Sequence, residues 1–171
     1  MWNGIQDFTI AFWFYYPGTN NAKYWTFLSV VMGTGHAQHG LRVGLDIDQK
    51  FSFFYKPGRA AAVDSSINIQ GVSSTTIPNT AGWYHLAFSK RGKTHTVYRD
   101  GSTVTSMDDT KAESGFGRPI KEGAFHLGTE EDVLGAGLKT STSLAGSDVR
   151  MSDLRIYNRR LDSLELQRVS T

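Results

Sequence analysis

The chain has 171 residues, no cysteine and a formal net charge of +2, with ten Phe, seven Tyr and four Trp. That length fits one domain with a sizeable core, and the aromatics are bulky enough to fill the space between two sheets. Disulfides and thiolate zinc sites are excluded, the near-balanced charge argues against nucleic acid, and no stretch approaches the roughly 18 apolar residues of a membrane span.

DFTIAFWFYY (residues 7–16) alternates, with Phe8, Ile10, Phe12 and Phe14 on one face and Trp13 on the other. Asp7 is the one charge among the first 22 residues, so this strand is expected to be buried on both sides. Pro17-Gly18 ends it. YWTFLSVVM (24–32) is a second strand, followed by a Gly-rich loop over 33–40. LRVGLDI (41–47) and FSFFY (51–55) read as a hairpin turning at Asp48-Gln49-Lys50. Residues 59–82 are rich in Ala, Ser and Thr, with weak strands near 60–64 and 67–76.

Trp83 to Gly101 reads as a central hairpin. Tyr84, Leu86 and Phe88 alternate with His85, Ala87 and Ser89, the period of two that sends neighbours to opposite faces. Arg91-Gly92-Lys93 turns the chain, Thr94 to Tyr98 returns it, and Asp100-Gly101 suits a turn with positive φ. Both faces carry apolar groups, grouped here as Leu86, Phe88 and Tyr98 against Ala87 and Val97, which places the hairpin inside a sandwich. Strands follow at 102–107, 123–127 and 147–157. In the last, Met151 and Leu154 are three apart, which breaks the period of two and predicts a bulge. Asp162-Ser163-Leu164-Glu165 has the spacing of a capping box, predicting a helix over 163–169 that packs Leu164 or Leu166 onto the sandwich.

Several of these segments resemble laminin-G-like, concanavalin A-like jelly rolls: the FTI strand, WYHLA (83–87), VYRDG (97–101), GAFHLG (123–128) and DLRIYNRRLDSLEL (153–166). The resemblance implies an all-β fold, a two-sheet antiparallel β-sandwich with a short C-terminal helix, as one domain over residues 1–171. Such relatives place a further strand before the FTI strand. The seven residues before Phe8 are too few for that strand and a turn, so the first family strand is expected to be missing. The N-terminal strand would then show an open edge, which implies either a piece of a longer polypeptide or cover by another subunit, as a homo-oligomer or a place in a larger assembly.

Some jelly rolls of this type are glycosidases with carboxylates at i, i+2 and i+4 on one strand, all on one sheet face. Here Gly44 stands where the first acid belongs, leaving Asp46 and Asp48, so the chain is expected not to be an enzyme. Calcium, the candidate cofactor, wants six to eight oxygens on flexible loops. Asp108 and Asp109 in one loop, and Glu130, Glu131 and Asp132 in another, are the metal candidates, with solvated loop charge as the plainer account. His36 and His39 form H-x-x-H, but no nearby acid or cysteine completes a zinc site. For a sugar ligand, the aromatics closest to loops or ends are Trp2, Tyr24, Trp25 and Phe116.

The expected function is a non-catalytic binding or adhesion module recognising glycan or a protein surface. The alternative is a structural virion component, such as a phage decoration or tail-associated protein. MWNGIQD has neither the basic head nor the apolar core of a signal peptide, and the expected location is extracellular or on a virion surface. Neither nucleic acid nor membrane insertion is expected.

Overall fold

The computed structural model describes residues 7–18, 25–32, 39–45, 50–55, 69–76, 80–92, 94–108, 123–127 and 149–170. Its strands are β1 (Phe8–Tyr16), β2 (Trp25–Met32), β3 (His39–Leu45), β4 (Lys50–Tyr55), β5 (Ile69–Thr76), β6 (Gly82–Arg91), β7 (Thr94–Arg99), β8 (Ser102–Asp108), β9 (Gly123–Leu127) and β10 (Arg150–Tyr157), followed by helix α1 (Ser163–Val169). Among the described residues they form two five-stranded sheets, ordered β10-β1-β6-β7-β8 and β5-β4-β3-β2-β9, with every pairing antiparallel. The weak strand expected near 60–64 lies outside the described residues.

Alternation along β1 builds one wall of the core. Phe8, Ile10, Phe12, Phe14 and Tyr16 are all buried and join Trp25, Phe27, Leu28, Val43, Leu45 and Phe51 of the second sheet. Ring contacts tie the sheets together: Phe27 meets Phe12 at 5.3 Å and Phe14 at 5.0 Å, and Trp25 meets Tyr16 at 5.9 Å. Tilted rings at these separations add about 0.5–1.5 kcal/mol per pair beyond the area they bury. The same contacts correct one expectation. Trp25 is 1% exposed and serves the core, so it has no face to offer a ligand.

β6 is the middle strand of its sheet, flanked by β1 and β7, as the central hairpin required. Gly92 has φ 53°, and its N–H donates to the Asp7 carboxylate at 2.8 Å. Asp100 and Gly101, at φ 50° and 75°, make the consecutive left-handed pair that a tight hairpin turn needs. The face grouping differs from expectation. Val97 is cross-strand to Phe88 on the inner face, whereas Tyr98 is opposite Ala87 on the outer face. The inner face also holds a polar pair, Lys90 opposite His95, each fully buried.

The open edge expected beside β1 does not exist, because β1 pairs with β10 on one side and β6 on the other. The chain supplies its own cover from its C-terminal strand. The predicted bulge is present. The β1–β10 register slips between Ala11 and Trp13, so two residues, Asp153 and Leu154, stand against Phe12. Asp153 takes φ 52° there, and Met151 and Leu154 both reach the inner core although three apart.

Candidate functional site

With the even residues of β1 turned inward, its odd residues line the outer face of the first sheet. Thr9 and Ala11 lie toward one end, Trp13 and Tyr15 toward the other. On β6 the same face carries Ser89 and Ala87, then His85 and Trp83. The chain covers the first half of this face itself. Ala11, Ala87 and Tyr98 pack under Leu161 and Leu166, with Tyr157 and Val169 alongside. Thr9 clamps the incoming segment: its hydroxyl donates to the Arg159 carbonyl and accepts from the Leu161 N–H, both at 2.9 Å. The capping box starts α1 as predicted. The Glu165 N–H donates to Asp162 at 2.8 Å, and the Asp162 N–H donates to the Glu165 carboxylate at 3.0 Å. Leu166 is the residue that docks, while Leu164 is exposed. The helix lies so close to the β7–β8 turn that a Cβ on Gly101 would strike the Gln167 side chain.

The other half is open. Register places Arg150, Tyr15 and Trp83 in one row across β10, β1 and β6, and Ser152, Trp13 and His85 in the next. Trp83 is 47% exposed, and Trp13 and Tyr15 are half-buried. Tyr15 meets Trp83 edge-on at 5.7 Å, and the Arg150 guanidinium lies over the Tyr15 ring, also at 5.7 Å. Beside them, Arg155 grips Asp153 through two contacts, at 2.6 and 2.9 Å, on the loop of the bulge.

His85 marks the border between the halves. Trp13 packs edge-on against it at 5.3 Å, the ring is 2% exposed, and Nδ1 has no hydrogen-bond partner among the described residues. Burial holds its pKa below the ordinary histidine value, against the opposing pull of Asp100; Arg155 lowers it further and Asp153 raises it. The imidazole is therefore neutral near pH 7.

This patch was not among the sequence candidates, which favoured aromatics near loops. Trp13 and Tyr15 sit out of phase with the inward Phe8-Phe12-Phe14 series of β1, and Trp83 out of phase with Tyr84, Leu86 and Phe88 of β6, and that phase was the available signal. The expectation that β1 is buried on both sides holds at Thr9 and Ala11 and fails at Trp13 and Tyr15.

Trp2, Tyr24 and Phe116 lie outside the described residues, as do Asp109, Glu130, Glu131 and Asp132. Asp108 is exposed at the end of β8. Among the described residues no three His, Asp or Glu side chains gather as metal ligands. Gly44 proves more constrained than a merely missing acid. A Cβ there would run into the carbonyl oxygen of Trp25 on β2, so no side chain fits without displacing that strand. Asp46 and Asp48 lie outside the described residues.

A laminin-G family model, described as the concanavalin A-like lectin/glucanases superfamily, matches residues 2–167. The chain belongs to this superfamily. No curated protein matches it in sequence. Among solved structures of the same jelly-roll type is the CBM40 of the Ruminococcus gnavus IT-sialidase bound to α2,3-sialyllactose. It shares 14% identity at a TM-score of 0.69, over 98% of this chain and 84% of that one. The botulinum neurotoxin serotype C1 binding domain matches at 14% identity and TM-score 0.64, over 96% of this chain and 36% of that one. A Trypanosoma rangeli sialidase matches at 19% identity and TM-score 0.61, over 96% of this chain and 22% of the enzyme. At these identities the likeness establishes the lectin/glucanase fold.

Proposed function

We propose that this lectin/glucanase-type domain is a non-catalytic recognition module that binds glycan on the open half of its first sheet. One observation carries the reading: Trp83, Tyr15 and Trp13 stand together on an outer sheet face, bordered by Arg150, Ser152 and Asp153–Arg155. Exposed apolar surface with a polar rim is the usual mark of a binding surface. The C–H face of a sugar ring matches the flat apolar body of an indole or phenol, while its hydroxyls need the polar rim. The matches to a CBM40 and a toxin binding domain support a binding role, and the obstructed Gly44 disfavours the three-carboxylate glycosidase arrangement. A glycan partner implies action outside the cell or on a particle surface.

A glycan array followed by titration of tryptophan fluorescence tests this. Trp83→Ala should weaken binding about tenfold or more without moving the thermal midpoint, since among the described residues the ring packs on Tyr15 at the surface and belongs to neither buried cluster. A blank array is the result expected of a purely structural subunit, such as a virion component. It would remove the glycan reading, as would binding indifferent to Trp83→Ala.

A further inference from the structure

The open half carries a cation with no carboxylate partner among the described residues. Of the arginines bordering the outer face, Arg155 is engaged by Asp153 and Arg159 by Glu165 at 2.7 Å. Arg150 is exposed and forms no ion pair among the described residues; its contact is the face of Tyr15. A guanidinium stacked on a ring keeps its in-plane N–H donors for an anion arriving edge-on, and loses less hydration on meeting it than an ammonium would. The rim is correspondingly rich in donors. Arg150 can only donate and the Ser152 hydroxyl can donate or accept, while the nearby carboxylate, Asp153, is already paired with Arg155. A neutral sugar needs acceptors as much as donors; an anionic one suits this rim better.

Register adds a spacing. Arg150 and Trp83 stand on β10 and β6 in the same row, with Tyr15 between them. Two strand spacings put their backbones about 10 Å apart. Resting on the glycan reading above, we propose that this face selects an anionic oligosaccharide, with one sugar ring on Trp83 and the carboxylate or sulfate of an adjoining residue held by Arg150. Tyr15 both supports the guanidinium and floors the junction between the two sugars.

The test compares matched neutral, sialylated and sulfated forms of the same glycan cores on an array, at low and high salt, with an acidic polypeptide as a further arm. Titrations with the wild-type chain, Arg150→Gln, Arg150→Lys and Trp83→Ala follow on the strongest acidic glycan and its neutral counterpart. The acidic form should bind about tenfold or more tightly than the neutral one, with the preference shrinking in high salt. Arg150→Gln should erase the preference and leave weak neutral binding. Arg150→Lys should restore it in part, because it returns the charge without the fork. The sialylated and sulfated spots separate carboxylate from sulfate as the group read. Equal affinity for both forms, a preference that survives Arg150→Gln, or equal binding of the acidic polypeptide would overturn the proposal while glycan binding stands. A blank array, or binding untouched by Trp83→Ala, would remove the glycan reading and this inference together. Circular dichroism of each variant confirms that it is folded.

Discussion

Thr9, Ala11, Ala87 and Ser89 lie on the same face of the same strands as Trp13, Tyr15, Trp83 and His85, yet the two sets meet different surroundings. The first set is small, and the C-terminal segment and α1 settle on it as a lid; in the second, larger set Trp83 is exposed and Trp13 and Tyr15 are half-buried, while His85 is buried beside Trp13. Residue size thus sorts the face. Alanines let the Leu161 and Leu166 side chains reach the sheet, whereas the indoles of Trp13 and Trp83 would hold a helix away from the strands. His85 stands where the two conditions meet.

Acid should break this comparison with the largest effect. His95, beneath the sheet, is pushed down to about 4 by burial and by Lys90, against the pull of Asp108. His85 is also lowered, chiefly by burial. Between the ordinary value and these lowered ones, only the unfolded chain takes up the proton, so the stability present above about pH 6.5 is lost as pH falls toward 4. Thermal midpoints across this range should fall. His95→Phe should flatten the slope, and an unchanged slope would refute the assignment. Lys90, pushed down to about 8 mainly by burial, carries the same sign at alkaline pH. Its protonated form is disfavoured in the fold, so stability should rise as pH passes from 8 toward 10.5.

Substitutions sharpen the contrast. Thr9→Val removes both hydrogen bonds of the clamp and leaves a buried N–H without an acceptor, at a cost of about 3 kcal/mol in urea unfolding. Ala87→Leu forces bulk under the helix and should cost about 2 kcal/mol, whereas Ser152→Leu on the open half should stay within about 0.5 kcal/mol. Equal losses at the two positions would mean that something also covers the open half. Asp162→Ala should cost about 1 kcal/mol, through the lost acceptor for the Glu165 N–H. A midpoint unmoved by it would show that the cap does not hold the lid.

What could be read from the sequence was local. The central hairpin follows from period-two alternation and from Gly92 and Asp100-Gly101, the capping box from a four-residue spacing, and the bulge from Met151 and Leu154. Each is settled within a few residues of chain. The patch is not local: Arg150, Tyr15 and Trp83 become neighbours only through the β10-β1-β6 register. Aromatics inside strands also resemble core, and at Trp25 the opposite error followed, because closeness to a loop does not imply exposure. The cover over β1 was unreadable for the same reason, since the strand that pairs with it is written at the other end of the sequence.

That clamp between Thr9 and residues 159 and 161 also has a kinetic meaning. Its partners are separated by 150 and 152 positions, and closing a loop of that length costs at least about 4 kcal/mol of chain entropy before any contact repays it. Pairing of β1 with β10 is therefore expected to come late, after the β6–β7–β8 meander has formed. During synthesis Trp13 and Tyr15 are made long before Arg150 exists to join them. A refolding chain should regain its hairpin signals first, and the glycan binding proposed for the patch only in the slowest phase.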